Sequence, residues 1–294
     1  MMEGRRRKKL GDRSDGRRLR TLSAYNAMMP FIMKTKNDSS NYMTDSIEIS
    51  EAERYLSYKR RHGYRGIGYL HLFVAAYIRM LSQYPGANRF VSGQRLYARN
   101  DIVYVMTIKK EMKTEAEETT IKVTFDRSDT INDVYRKLNA EIHKVKNKGE
   151  ETKTDDVAGA LMKLPRMLLK ACVFVLEVLD YFGKLPKALI EASPFHGSMI
   201  ITDLGSIGTP PIYHHLYNFG NMPVFIALGV KRKALEIKHD GSVVERKYLD
   251  YKAVMDERIC DGFYYSQALK LFKSLLRKPQ ALDDPPKTIV EDVD

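Results

Sequence analysis

Two shortages limit what this 294-residue chain can be: it has few cysteines and no long uninterrupted apolar run. Cys172 and Cys260 lie in apolar surroundings without CxxC spacing, which argues against a disulfide framework or a zinc site and is typical of a reducing compartment. The most apolar segment, 167–182, has 16 residues interrupted by charge and falls short of the ~20 that a membrane-spanning helix needs. The first residues carry charge without a following apolar h-region, so no secretory signal is predicted. We therefore expect a cytoplasmic protein.

Common motifs for metals, phosphates and nucleophiles are also missing. The seven histidines are scattered apart from the pair His214 and His215, so a metal site has little support. The glycines of 63–68 lack the following Lys-Ser or Lys-Thr of a phosphate-binding loop. No serine or cysteine lies in the context of a nucleophile elbow. We expect no metal cofactor.

Charge is unevenly distributed along the chain, and much of the net +12 lies in the first twenty residues. Residues 1–16 are polar, glycine-containing and basic, which predicts a disordered basic arm. Such an arm can bind nucleic acid or anionic lipid, but it is more often a solvated tail, and that is the interpretation we adopt. We therefore expect no nucleic-acid partner. At the other end, residues 279–294 form an acidic, proline-containing tail.

The apolar pattern between these ends predicts a single α/β domain over 17–278, with ample hydrophobic content (44%) for a core. The predicted strands are 101–110, 121–125, 198–202 and 224–230, and the predicted helices are 70–84, 131–142 and 263–277. Asp240-Gly241 separates two alternating runs, 234–238 and 243–255, and predicts a β-hairpin.

An apolar helical segment at 157–190 is inserted in this pattern. It is either a helix buried between the two halves of the chain or an exposed helix. An exposed helix over 167–182 would dock on a partner protein, another subunit or a membrane surface. Five basic residues flank or interrupt the apolar stretch: Lys163, Arg166, Lys170, Lys184 and Lys187.

The most specific motif lies at a predicted strand-to-helix corner, residues 256–262. The sequence D-E-R-I-C-D-G follows an alternating run and precedes an amphipathic helix. It resembles the H-x-x-x-D-G signature of chloramphenicol acetyltransferase and of the acyltransferase core of 2-oxoacid dehydrogenase complexes, usually D-H-R-x-x-D-G, with Glu257 at the histidine position. Residues 202–208, T-D-L-G-S-I-G, are similar to the family's T-I-S-x-L-G-x-x-G, and Asn88-Arg89-Phe90 also matches the family. The resemblance covers most of 17–278.

This resemblance implies a fold, an assembly and a substrate class. The fold is α/β, a chloramphenicol acetyltransferase-like mixed-sheet sandwich with helices, and the assembly is a homotrimer, or a larger assembly of trimers, with active-site channels at the subunit interfaces. Acyl-coenzyme A is the implied acyl donor, and no segment resembles a lipoyl domain. Two functions stay open: a stand-alone CoA-dependent acyltransferase, or a catalytically inactive relative that serves as an oligomeric scaffold or binding module.

The resemblance also implies catalytic roles for particular residues. The family's histidine is the general base that removes the proton of the acceptor, and Glu257 stands in its place. Thr202 corresponds to the hydroxyl that hydrogen-bonds the tetrahedral oxyanion. His215, or its neighbour His214, could reach the site from its loop.

Two further residues have structural roles in the family. Asp261 corresponds to an aspartate that ties the corner to an arginine, and the candidates in this chain are Arg18, Arg20 and Arg258. Gly262 would permit a close turn.

Overall fold

The computed structural model describes residues 8–109, 113, 115, 118–148 and 152–294. The strands are β1 Gly16–Arg18, β2 Ser40–Glu48, β3 Arg89–Ser92, β4 Arg95–Arg99, β5 Ile102–Lys109, β6 Glu118–Phe125, β7 Met199–Asp203, β8 Val224–Ile237 and β9 Val243–Asp256. The helices are α1 Ala24–Ile32, α2 Ser50–Arg61, α3 Tyr69–Gln83, α4 Ile131–Lys148, α5 Lys153–Met162, α6 Arg166–Tyr181, α7 Lys187–Ala192 and α8 Gly262–Arg277.

A mixed six-stranded sheet forms the body, with the strand order β2-β9-β8-β7-β5-β6. β7 pairs in parallel with both β5 and β8, and the other neighbours in this sheet are antiparallel. A smaller antiparallel sheet has the order β1-β4-β3. The predicted α/β class with a mixed sheet is therefore confirmed.

The two faces of the large sheet have different partners because side chains alternate along each strand. One face carries Tyr104, Ile201 and Tyr251 and packs in the main core with residues of α3, α4 and α8. Phe272 of α8, for example, lies with its ring centroid 6.4 Å from that of Tyr251. This face is the apolar centre of the domain.

The opposite face, which we call the outer face, carries an apolar row beside a more polar one. One row across it contains Ile200, Phe225 and Val254, and the loop 209–218 covers part of this row. The next row contains Thr202, Ala227, Lys252 and Thr44. Polar side chains such as Thr202 and Lys252 therefore lie on the outer face and not in the main core.

The expectation of a disordered arm over 1–16 is wrong for the residues that the structure describes, since residues 8–16 pack on the domain. Arg13 is only 2% exposed. Its guanidinium binds Asp15 (2.8 Å), Asp180 (2.6 Å) and Ser92 (2.8 Å). A basic segment stays solvated only when the fold brings no acidic partner against it. Here the partner is Asp180, which lies too far along the chain for a local sequence pattern to reveal the contact. Residues 1–7 lie outside the described residues.

The acidic tail is also held against the domain. The Asp292 carboxylate accepts two hydrogen bonds from Arg89, from Nε at 2.8 Å and from Nη2 at 2.5 Å. The backbone N–H groups of Arg20 and Thr21 donate to the carbonyl of Asp294 at 3.0 and 2.8 Å. The tail therefore helps to fix the strands of the small sheet.

The inserted segment forms α5, α6 and α7. In α6 the single buried residue is Asp180, which is polar, and most of the apolar side chains are exposed. The alternative of a buried helix is therefore wrong, and α6 is an exposed apolar helix. No helix within the described residues has the length and apolar character to cross a membrane.

Candidate functional site

The corner at 256–262 is rigid because its charged groups are paired inside the protein. Asp256 (1% exposed) accepts hydrogen bonds from Nε and Nη2 of Arg258 at 2.8 and 2.7 Å. Ser39 Oγ donates to the same carboxylate at 3.0 Å, and Arg258 Nη1 donates to the Met33 carbonyl at 2.8 Å. The corner is thus joined to the segment that precedes β2, and its short 3-10 turn presents the next side chain in a fixed direction.

That side chain is Glu257, which is exposed at the surface of the single chain. Its backbone N–H donates to the Ser39 carbonyl at 2.8 Å. No hydrogen bond or ion pair to its carboxylate is present among the described residues, so the group is available to a ligand or to another subunit.

A buried lysine supports the corner, and reasoning from sequence missed it because Lys36 lies in a polar stretch typical of a surface loop. Lys36 is 3% exposed, and its Nζ donates to the carbonyls of Tyr217 (2.8 Å) and Gly220 (2.6 Å). Burial lowers the pKa of Lys36 to about 7, against the opposing charge of Asp256. This lysine ties the corner to the loop over the outer face.

The expected link from Asp261 to an arginine is not present in the described part of the chain. Asp261 is exposed and caps α8, its Oδ1 accepting from the Tyr264 N–H at 2.9 Å. Arg258 is occupied by Asp256, and Arg20 pairs with Asp12 at 2.9 Å. The carboxylate therefore stabilises the helix N-terminus instead.

The role expected of Gly262 is also not supported within one chain. Its φ does not lie in the left-handed region, and a Cβ placed there would meet no atom within 4 Å. The turn does not require glycine for its backbone conformation, so any need for a small residue has to come from outside the single chain.

Thr202, the candidate oxyanion donor, lies half-buried near the end of β7 on the outer face. The adjacent Asp203 takes the opposite direction, and its Oδ1 accepts from the Ser206 N–H at 3.1 Å. Burial raises the pKa of Asp203. The Thr202 hydroxyl is thus kept apart from the neighbouring carboxylate.

Within one chain, Glu257 and Thr202 are far apart. Thr202 is level with Ala227 of β8 and Lys252 of β9, which places β7 two strand spacings from β9. Glu257 lies five residues beyond Lys252 along the chain. With ~3.4 Å per residue and ~4.8 Å per strand, the separation is roughly 20 Å. A single chain therefore cannot apply both groups to the same substrate atom.

Comparison with known proteins supports the fold by structure and not by sequence. No family model and no curated protein sequence matches the chain. A probable dihydrolipoamide acetyltransferase from Listeria monocytogenes matches with a TM-score of 0.57 at 14% identity, covering 88% of this chain and 94% of that one. A truncated catalytic core of the 2-oxoacid dehydrogenase multienzyme complex from Thermoplasma acidophilum matches with a TM-score of 0.52 at 12% identity (89% and 98% covered). A chloramphenicol acetyltransferase matches with a TM-score of 0.50 at 13% identity (86% and 92% covered).

The fold is that of the chloramphenicol acetyltransferase-like acyltransferases. The fold expected from the corner motif is thereby confirmed, and 12–14% identity carries the likeness no further than the fold.

In this acyltransferase fold the histidine pair belongs to the loop over the outer face. His214 stacks on Phe225 with centroids 4.1 Å apart, and burial lowers its pKa. His215 packs against the ring of Tyr217 at 4.8 Å. No hydrogen bond or ion pair joins either histidine to Glu257 in the part of the chain that the structure describes. The pair thus packs on aromatic rings, and the single chain does not place it at the corner.

A second polar centre, which the sequence did not reveal, lies on the same fold beside a cavity of about 620 Å³ that Asp15 and His196 help to line. His196 lies between Asp180 (Nε2–Oδ1, 3.2 Å) and Ser193 (Nδ1–Oγ, 2.8 Å). Burial opposes ionisation of Asp180, but the hydrogen bond from His196 and the charge of Arg13 lower its pKa to about 2. Because the carboxylate is already paired with Arg13, this centre fixes the C-terminal end of α6 to the arm.

Proposed function

We propose that the protein is a trimer of acyltransferase-fold subunits in which Glu257 of one subunit meets Thr202 of a neighbour, and that this interface binds an acyl-CoA thioester. The observation that carries the proposal is the separation of roughly 20 Å between the two groups within one chain. Both groups are accessible from outside the core, since Glu257 is exposed and Thr202 lies on the outer face. The match to a multienzyme-complex core supports oligomeric assembly.

The proposed site keeps one half of the family's chemistry and changes the other. The Thr202 hydroxyl can donate to a thioester carbonyl oxygen as charge develops on it. The base position carries the carboxyl group of Glu257, and the ordinary pKa of a carboxyl group is about two units lower than that of an imidazole, which makes it a weaker base. A thiol acceptor would then lack effective activation, and loss of a positioned base costs ~10²–10⁴ in rate. The primary proposal is therefore a thioester-binding, oligomeric module without acyl transfer to thiols.

The second candidate is an active acyltransferase that uses Glu257 as its base. The observation in its favour is that the carboxylate has no hydrogen-bonding partner among the described residues and points out of the corner. An acceptor whose proton is more readily removed than that of a thiol would suit such a base.

The test measures acetyl transfer from acetyl-CoA to dihydrolipoamide or chloramphenicol, together with acetyl-CoA binding by calorimetry. We expect binding without turnover in the wild type, a detectable rate in Glu257→His, and weaker binding in Thr202→Val. Thr209→Val, in the loop that follows β7, is the matched hydroxyl deletion and should bind acetyl-CoA as the wild type does. Wild-type turnover that Glu257→Gln abolishes would establish the second candidate instead.

Light scattering tests the assembly separately. We expect the mass of a trimer or of a multiple of it at micromolar concentration. A stable monomer would remove the interface site, whatever the outcome of the activity assay.

We also propose that α6 serves for docking and does not belong to the catalytic unit. Its apolar side chains are exposed, and within the described residues the hydrophobic core clusters contain no residue of α6.

A further inference from the structure

α6 presents an apolar surface on one side, and that surface is continuous. Phe174 and Phe182 are 63% and 68% exposed, and Met167 is 76% exposed. We call the following residues the apolar face of α6 and its C-cap: Met167, Leu168, Phe174, Val175, Val178 and Phe182. A group of exposed apolar side chains of this size, outside a core, marks an interaction surface.

On the side of α6 that faces away from the domain, apolar and polar side chains are separated into two strips. With 100° per residue, the four half-buried residues, Leu169, Cys172, Leu176 and Leu179, define the side that faces the domain. The apolar face occupies an arc of about 120° that points away from the domain. The polar residues Arg166, Lys170 and Glu177 form a stripe along one margin of this arc. Such a division is typical of a helix that lies in an interface with its apolar arc inserted.

The C-terminal end of α6 is held firmly, so the apolar face has a fixed direction. Asp180 pairs with the buried Arg13, and the Tyr181 hydroxyl donates to Gln94 Oε1 at 2.8 Å. Gly93 lies directly on the helix end, because a Cβ at this position would come within 2.0 Å of the Tyr181 carbonyl oxygen. The domain therefore presents the helix as a preorganised surface.

The charges around the helix favour one kind of partner. Segment 163–187 contains five basic residues and two acidic ones. Asp180 is already paired with Arg13 and Lys187 with Glu191, which leaves four basic residues and Glu177. Basic residues lie at both ends, with Lys163, Arg166 and Lys170 near the start and Lys184 after the end. Packing two copies of α6 side by side in a parallel arrangement would bring like charges close together, whereas an anionic surface is attracted to the basic residues at both ends of the helix.

We propose that α6 docks the protein on an anionic lipid bilayer, with its apolar face inserted in the interfacial region and its basic residues against the lipid headgroups. The proposal rests on the docking role of α6 given above and is independent of the chemistry at Glu257. At 16 residues and ~1.5 Å per residue, the helix has about 24 Å of length to lay parallel to the membrane plane.

The experiment exploits the absence of tryptophan from the chain. Phe174→Trp places one reporter in the apolar face, and Tyr58→Trp places a matched reporter on an exposed position of α2. The full-length proteins are titrated with vesicles of phosphatidylcholine alone and of phosphatidylcholine mixed with phosphatidylserine. We expect a blue shift of emission for Trp at position 174 with the anionic vesicles only, and no shift for Trp at position 58.

Affinity variants separate the two contributions to binding. Arg166→Gln with Lys170→Gln should weaken binding roughly 25-fold, about fivefold for each basic residue. Phe174→Ser should weaken it about tenfold or more. Leu235→Ser is the control, because Leu235 is an exposed apolar residue (73%) on the β8–β9 hairpin, and it should leave binding unchanged.

Several outcomes would overturn the proposal. The emission of Trp at position 174 could remain unchanged with anionic vesicles, or the charge and Phe174→Ser variants could bind as the wild type does. If Phe174→Ser lowers the oligomer mass in light scattering, a second copy covers α6 instead. Failure of thioester binding at the Glu257 site would leave the vesicle result unaffected, so the two proposals can fail separately.

Discussion

Replacing Asp180 by asparagine should destabilise the protein, because Asp180 joins α6 to the arm through Arg13. Asp180 is 7% exposed, and the pKa of its carboxyl group, about 2, lies well below the ordinary value of 3.8. At 1.36 kcal/mol for each pKa unit, the ionised form contributes roughly 2 kcal/mol to the free energy of unfolding near neutral pH. Asparagine also leaves the buried guanidinium with one acidic partner, Asp15. Breaking a buried pair in this way costs about 3–5 kcal/mol, so we expect Asp180→Asn to lower the free energy of unfolding by about 2–5 kcal/mol.

The pH dependence gives the prediction its sign. A carboxyl group whose pKa is lower in the folded state stabilises the fold above its unfolded pKa, and that contribution disappears as the pH falls through the folded value. The difference in unfolding free energy between the wild type and Asp180→Asn should therefore be largest near neutral pH. It should narrow as the pH falls from about 4 toward about 2.

Urea unfolding followed by circular dichroism measures this difference at several pH values, with the protein concentration held fixed because oligomerisation affects apparent stability. Glu191→Gln is the matched control, since Glu191 forms exposed ion pairs with Lys153 and Lys187. That control should change stability by less than about 1 kcal/mol. A loss in Asp180→Asn no larger than in the control, or a difference that stays constant into the acid range, would refute the reasoning.

Two other predictions concern contacts that lie far apart in the sequence. Asp292→Asn should lower the free energy of unfolding by roughly 3 kcal/mol, because it breaks the pair with the largely buried Arg89. The control Glu291→Gln changes an exposed position and should cost under about 1 kcal/mol. Equal effects of the two variants in urea unfolding would contradict the role of the tail. Wild-type stability should rise with pH between about 7 and 10.5, because burial lowers the pKa of Lys36 and the unfolded chain binds the proton that the folded chain releases. Lys36→Met should show a smaller rise, with part remaining because burial also lowers the pKa of Lys122 to about 7. Identical pH slopes in the two proteins would show that Lys36 does not contribute.

The sequence alone was sufficient for several of the local elements and for the fold class. The helix expected at 70–84 is α3 at Tyr69–Gln83, and the closing helix expected at 263–277 is α8 at Gly262–Arg277. The Asp240-Gly241 hairpin joins β8 and β9, with Gly241 at a φ of +81°. These elements follow from periodicity and turn chemistry, which act over a few residues. The corner motif then identified the fold because its strand–turn–helix order is itself local.

The candidate site was only partly contained in the sequence. The residue types at positions 202 and 257 could be read from motifs, but their separation within one chain depends on the register of β7, β8 and β9. The link expected for Asp261 was wrong because helix capping, a contact three residues away, took its carboxylate, while Asp256 took Arg258. Which of several arginines an aspartate meets is decided by packing and not by proximity along the chain.

Periodicity determined that 167–182 is helical and apolar, and the charges of the arm and tail could be read directly. Tertiary structure alone decided that α6 is exposed, that Arg13 is buried against Asp180, and that Asp292 meets Arg89. The physical reason is the same in each case. The free energy of burying a charge or an apolar side chain depends on the group that lies opposite, and the three-dimensional fold brings that group from 167 to 203 residues away.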